Sequence, residues 1–235
     1  MANKYFKFKQ FTVFHDKCAM KVGTDGTLLG AWACGGVEIL DIGTGTGLVA
    51  LMMAQRFGNA DIVALDIDRL ACVQAVQNIS GSPFSERINV LHDSVQNFAD
   101  EWQGDKFDSI VCNPPYFVNS LGCPNSQRHI ARHTTTLNFH DLFGAVSRLM
   151  AVGGLFSVII PADSLSEFDA AARISGFRCK RRCLVKTVQR KTAKRVMLEY
   201  TLDDIEECQE EEHSLLDSQG QKSEWYSILT RDFYL

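Results

Sequence analysis

The chain has no excess of positive charge. Its 24 Lys and Arg stand against 28 Asp and Glu, a formal net charge of −4. No global attraction to nucleic acid follows, so any such contact must come from a local cluster. No C-x-x-C pair occurs among its eight cysteines, and the closest spacing, Cys179 to Cys183, is wider than structural zinc sites use. Scattered single thiols suit a reducing compartment, buried as small apolar side chains. No apolar run approaches the ~18 residues of a membrane span. Residues 1–14 mix lysines with aromatics where a signal peptide would carry a continuous apolar stretch. The expected setting is therefore cytoplasmic, with no membrane and no metal, and a monomer is the favoured state. There is no clear internal repeat.

What is present points to one ordered domain. At 235 residues, 46% hydrophobic and 22% charged, the chain can bury a full core. Short apolar runs at 37–40, 61–65, 88–91, 107–112 and 155–160 read as strands. Helical patterns at 48–57, 70–79, 139–150 and 163–175 fall between or after them. In the helix at 70–79, Leu70, Val73 and Val76 have the spacing of an inner face. Two further β-rich stretches, 179–188 and 195–202, close the series. Such alternation predicts a mostly parallel sheet covered by helices on both faces. Residues 1–36 form an N-terminal extension, with a short strand or hairpin around Phe6, Phe8, Phe11 and Val13. It ends in a loop and helix at 27–33, which Thr24 or Asp25 could cap. Residues 37–202 are the catalytic core. Residues 203–235 hold an acidic segment, read as a solvated loop or helix, and a C-terminal element whose aromatics can dock.

The stretch Asp41-Ile42-Gly43-Thr44-Gly45-Thr46-Gly47-Leu48 organises the rest. Glycines at alternate positions let the backbone turn sharply beside a ligand, and the next helix aims its N–H groups at the same place. Leu48 stands where a dinucleotide fingerprint needs its last glycine, and no G-K-[ST] of a phosphate loop follows. Asp41 suits a cationic group. Asp66, 19 residues past Gly47, can accept both hydroxyls of a ribose. An ammonium, a carboxylate and a ribose together describe S-adenosylmethionine. Asp93, with Ser94 beside it, would read the adenine.

Asn113-Pro114-Pro115-Tyr116 answers from the end of another strand. Two prolines remove two donors. The Asn113 side-chain carbonyl and the Pro114 backbone carbonyl can then both accept from one NH₂ group, aiming its lone pair at an electrophilic methyl. Tyr116 offers a face for stacking a planar base. Residues 118–138, with Arg128, Arg132 and His133, read as a substrate-gripping loop. From Arg178 to Arg195 there are nine Lys or Arg and no acid; from Asp203 to Glu212 there are seven acids and no base. The basic stretch, with Arg181, Arg182 and Lys186, is the expected phosphate-binding surface.

These motifs resemble class I S-adenosylmethionine-dependent methyltransferases that act on a conjugated nitrogen. Cys18-Ala19-Met20-Lys21-Val22-Gly23-Thr24-Asp25-Gly26, Ser82-Pro83-Phe84 and Arg132-His133 narrow the likeness to the bacterial valine-tRNA adenine-37 N6-methyltransferases. The resemblance covers nearly the whole chain. It implies a Rossmann-like sheet of seven strands, one antiparallel, and tRNA as partner. It also implies that Asp41, Gly43, Gly45, Gly47, Thr24 and Lys21 hold the methionine part, Asp66 the ribose, and Asp93 and Ser94 the adenine. Asn113, Pro114 and Tyr116 would serve the target amine, with Pro115 and Phe117 beside its ring. Two other substrates stay open: ribosomal RNA, at adenine N6 or guanine N2, and a protein glutamine amide.

Overall fold

The structure, a computed structural model, describes residues 4–17, 22–114 and 137–235. Strands β1 (Tyr5–Lys7) and β2 (Thr12–Phe14) pair antiparallel as the expected hairpin. Its buried side, Phe8, Phe11 and Val13, joins the core. Helix α1 (Thr24–Trp32) leads into β3 (Glu38–Ile42), then α2 (Leu48–Arg56), β4 (Asp61–Asp66), α3 (Arg69–Ser80) and β5 (Ile88–His92). Next come α4 (Val95–Glu101), β6 (Phe107–Cys112), α5 (Phe139–Leu149), β7 (Met150–Pro161), α6 (Leu165–Ile174), β8 (Arg178–Val188) and β9 (Arg195–Thr201). The chain closes with β10 (Gln209–Leu216) and α7 (Glu224–Thr230).

Eight of these strands form one sheet, in the order β10-β8-β9-β7-β6-β3-β4-β5. All neighbours are parallel except where β9 runs against β7 and β8. The expected single antiparallel strand is there; the expected count of seven is one short. The chain begins at β3, steps out through β4 and β5, then returns to β6 on the other side. That reversal opens a crevice above the carboxyl ends of β3 and β6, where ligands of such sheets sit. Two apolar layers cover the sheet. One holds Leu28, Leu51, Met52 and Ile79 with the hairpin and the C-terminal Phe233. The other holds Phe98, Phe143, Phe156 and Phe168.

The eighth strand corrects the reading of the acidic segment. Gln209–Leu216 is neither loop nor helix: it pairs parallel with β8, Glu210 opposite Arg182 and His213 opposite Val185. The acids stay wet on an edge strand, while the cations they meet draw the backbone into the ladder. Glu210 pairs with Arg182 at 2.6 Å and Glu212 with Lys186 at 2.5 Å.

Helix α3 corrects a second expectation. Leu70, Val73 and Val76 are 59, 44 and 49% exposed, and the packed face is Ala71, Cys72, Gln74, Ala75, Asn78 and Ile79. This face is turned inward because the helix presses against the glycine turn through Ala75 and Ile79. A Cβ placed on Gly47 would sit 3.4 Å from Ala75 Cβ and from Ile79 Cδ1. Buried Asn78 donates to Phe14 O and Thr46 O and accepts from Phe14 N, tying hairpin, helix and turn together.

Glu199 on β9 is 1% exposed and carries the one acid buried deep on the outer half of the sheet among the described residues. Arg181 binds it through Nε at 3.0 Å and NH2 at 3.3 Å, Ser157 Oγ donates at 3.2 Å, and the guanidinium lies 4.0 Å over the Trp32 ring. Removing one partner of such a pair leaves the other charge buried. Arg181→Ala is expected to lower the free energy of urea unfolding by about 2–4 kcal/mol, and Arg181→Ala/Glu199→Gln to recover part of the loss. Lys180→Ala, on the exposed face, should stay within about 0.5 kcal/mol of the parent.

Candidate active site

The turn after β3 is held from two sides. Gly43 and Gly45 have φ of 71° and 57°, in the left-handed region that side chains resist. A Cβ on Gly43 would meet nothing within 4 Å, and on Gly45 only Gly43 O at 4.0 Å, so this side of the turn opens onto free space. The N–H groups of Gly43 and Thr44 both donate to Leu65 O, at 2.8 and 2.9 Å, docking the turn on the end of β4. Asp66 completes the hold: its Oδ2 accepts from Gly45 N at 2.8 Å and its Oδ1 from Asp68 N at 2.8 Å. Burial raises the Asp66 pKa, and these backbone donors oppose the rise.

Asp41 lies beneath the turn. It is 1% exposed, and its Oδ2 accepts from Thr44 Oγ1 at 2.7 Å and Ala50 N at 3.1 Å. Its contacts are thus with the loop and the start of α2, where the sequence pattern pointed to a ligand cation. Burial pushes its pKa up to about 7, against the pull of the two hydrogen bonds.

The other rim residues are placed as follows. Asp93 follows β5, with its N–H donating to Asp66 O at 3.1 Å, so the two residues are neighbours on the rim. Ser94 is occupied as a helix cap, its Oγ accepting from Asn97 N at 3.2 Å. Thr24 is the first residue of α1, which starts three residues earlier than expected. Neither Thr24 nor Asp25 caps it: Gly23 does, with no side-chain bond, because Asp25 pairs with Arg195 of β9.

Asn113, half-buried, follows directly on β6, and Pro114 behind it is buried. Ile42 and Cys112 are register partners, so the glycine turn and Asn113 leave the sheet side by side. Their common neighbour is Gly26 of α1. A Cβ there would lie 3.1 Å from Leu48 Cδ2, at the start of α2, and 3.8 Å from Asn113 Nδ2. In the sequence Gly26 stands just before the helix expected at 27–33; its part is to let α1 close against both motifs. Nothing local marks that approach, which depends on how three separate elements meet. Lys21, Pro115, Tyr116, Phe117, Arg128, Arg132 and His133, and with them most of the 118–138 loop, lie outside the described residues.

The expected phosphate-binding stripe is corrected. Arg181 is committed to Glu199, Arg182 to Asp169 at 2.7 Å and Glu210, and Lys186 to Glu212. The acids that answer them come from α6, β9 and β10, so a count along the basic stretch alone could not find them. One trio of metal-ligand type, Cys183, Glu211 and His213, has its atoms within 4.8 Å of one another. Glu211 there already accepts from Trp32 Nε1 at 3.1 Å and pairs with His213 Nε2 at 3.0 Å.

A mostly parallel sheet with one reversed strand, a glycine turn after its first central strand and an acid ending the next defines the Rossmann-like methyltransferase class. The comparisons agree. The family model "Methyltransferase small domain" matches residues 31–141. Solved structures of similar fold include a predicted O-methyltransferase from Agrobacterium tumefaciens, at TM-score 0.68 and 19% identity over 89% of this chain and 96% of that one. TrmN from Thermus thermophilus matches at TM-score 0.53 and 20% identity, over 74% of this chain and 46% of that one. At these identities they speak for the fold alone. Among curated relatives, the tRNA1(Val) (adenine(37)-N6)-methyltransferase of Bacteroides thetaiotaomicron is 49% identical over 100% of this chain and 99% of its own length. Those of Phocaeicola vulgatus and Serratia proteamaculans are 48% and 40% identical, over 100% and 98% of this chain and 99% and 89% of theirs. The chain belongs to the tRNA1(Val) (adenine(37)-N6)-methyltransferase family.

The raised pKa of Asp41 has a testable sign. Folded Asp41 holds its proton up to about pH 7, whereas the unfolded residue releases it near 3.8. Its contribution to stability is therefore complete at low pH and lost as pH rises through about 7. In the ligand-free protein, the unfolding free energy of the parent minus that of Asp41→Asn should fall as pH is raised from about 4 to about 7 and level off above that. A difference flat across that range would mean the carboxylate is not desolvated as described.

Proposed function

We propose that this chain transfers a methyl group from S-adenosylmethionine to the exocyclic N6 of adenosine-37 in valine tRNA. The observation that carries the reading is that Asn113 and the glycine turn leave paired ends of β6 and β3, with Gly26 packed between Asn113 and the Leu48 that follows the turn. The shared name of the full-length relatives favours tRNA over ribosomal RNA or a protein amide. No helix among the described residues is long and apolar enough to cross a membrane.

The residues present fit the cofactor. The open side of Gly43 and Gly45 leaves room beside exposed backbone, and α2 begins at the same place, suiting the carboxylate end. Asp41, beneath the turn, holds Thr44 and the start of α2 and so shapes the loop around the ammonium end. Asp66 takes the ribose hydroxyls while it holds Gly45. Asp93 reads the adenine, with Ser94 shaping the backbone under it, and Thr24 closes the cradle from α1. When bound, the cofactor supplies an electrophilic methyl on a sulfonium.

The chain's own work on the acceptor is positioning. Asn113 Oδ1 and the Pro114 carbonyl oxygen accept the two N–H bonds of the target amine. This draws the nitrogen lone pair out of conjugation and points it into the crevice. The methylated nitrogen is strongly acidic, so its proton leaves without a strong base. A base stacked in the anticodon loop has to turn out to reach this depth. Stacking by Tyr116 and Phe117 with Pro115 beside the ring, gripping by Arg128, Arg132 and His133, and support of the methionine part by Lys21 complete the proposal outside the described residues.

Asn113→Ala is expected to reduce tritium transfer from labelled S-adenosylmethionine to valine tRNA by about 100-fold or more. Cofactor affinity by calorimetry should stay within a few-fold. Full transfer by the variant would remove Asn113 from the chemistry, and lost cofactor binding would show that the two motifs do not divide the labour as proposed.

A further inference from the structure

The cations of the basic stretch divide into two groups that a linear reading merges. Of nine, five are matched: Arg178 by Asp204, Arg181 by Glu199, Arg182 by Asp169 and Glu210, Lys186 by Glu212, and Arg195 by Asp25. Three of the other four, Arg190, Lys191 and Lys194, crowd into the six-residue turn between β8 and β9. All three are exposed, and none has a side-chain hydrogen bond or ion pair among the described residues.

The turn is not a loose loop. Lys191 N donates to Val188 O and Lys194 N to Val185 O, each at 3.0 Å, and Ala162 N donates to Lys194 O at 3.1 Å. At its foot, the Arg195 guanidinium grips Asp25 in the first turn of α1, the helix that touches Asn113. The turn also lies on the catalytic rim. β8 is parallel to the central strands, so its carboxyl end faces the same way as those of β3 and β6. Arg195 is in register with Pro161, three residues above Val158, which is itself in register with Cys112. At ~4.8 Å between strands and ~3.3 Å per residue, the backbone of the three cations stands roughly 14–25 Å from that of Asn113, Lys194 nearest.

We propose that Arg190, Lys191 and Lys194 form the phosphate-binding surface that holds the RNA backbone beside the catalytic crevice. This rests on the reading of RNA as substrate and adds where it is gripped. A chain of net charge −4 repels a polyanion over most of its surface. Three unanswered cations on a pinned turn, on the rim that also carries Asn113, supply the local attraction. Being on a hairpin tied to α1, they hold the backbone at a set distance from Asn113.

The test measures binding of transcribed valine tRNA to the full chain across a range of salt, and methyl transfer in parallel. Arg190→Ala/Lys191→Ala/Lys194→Ala should melt as the parent does and bind S-adenosylmethionine equally well. Its plot of log affinity against log salt should be shallower by about two to three units, the loss of three phosphate contacts. KM for tRNA should rise at least about tenfold with kcat within a few-fold, and Lys191→Arg/Lys194→Arg should restore the parental slope. An unchanged slope with unchanged KM overturns the proposal. So does retained RNA binding with lost binding of poly-glutamate, which would make the turn a protein-docking site. A parent chain that binds tRNA with a slope the triple variant lacks, yet methylates no adenosine, would spare this surface and defeat the proposed function instead.

Discussion

The carboxylate of Asp66 accepting the N–H of Gly45 is the contact on which the site depends. It ties the end of one strand to the turn that follows its neighbour, and so fixes the open side of that turn relative to the rim. Leu65 O, receiving the two N–H groups before it, makes the same connection through backbone. A glycine turn free on both sides would lose its shape to entropy. Here Asp66 and Leu65 hold it from β4, Asp41 from below and Asn78 from α3, and only the ligand side is left open. Pre-organisation of this kind is where catalysis by positioning must begin, because binding energy is not then used to order the loop.

Electrostatics shape the other half of the sheet. The reversed strand β9 brings Glu199 inside, and Arg181 must follow it, stacked on Trp32. The acidic edge strand β10 then satisfies the outer face of β8. Charge that looks like a nucleic-acid surface in the sequence is therefore mostly cement between strands. Of the four cations left over, Lys180 stays exposed on β8 and the other three lie on the turn, past the end of the strand that pairs with β8. In this chain it is strand pairing that sorts cations into structural and available ones.

Much of the core was legible. The strand at 107–112 and the elements around the glycine turn fall where apolar periodicity put them, because a buried parallel strand reads as a short apolar run whatever its neighbours. The N-terminal hairpin and the docking C-terminal aromatics were visible for the same reason. Failures cluster where a neighbour overrode local pattern. Leu70, Val73 and Val76 had the apolar spacing, but the helix lies against the glycine turn through Ala75 and Ile79, and Asn78 is turned inward by its hydrogen bonds to Phe14 and Thr46. The end of the acidic run, Gln209–Glu212, has poor strand propensity, yet lies in β10 with Glu210 and Glu212 paired to Arg182 and Lys186, while Asp203, Asp204, Glu206 and Glu207 stay outside it in an exposed loop.

The sequence by itself determined the alternation of strands and helices, the positions of Asp41, Asp66, Asp93 and Asn113 at or near strand ends, and the chemistry those side chains can do. Each of these is set by short-range pattern and residue type. Tertiary structure alone decided that Asp41 faces the loop, that Gly26 joins Asn113 to Leu48, and which cations keep their charge for a partner. Those outcomes depend on contacts between residues up to 170 positions apart, as between Asp25 and Arg195. Partners at that separation are chosen by the order of strands in the sheet, which no local window contains.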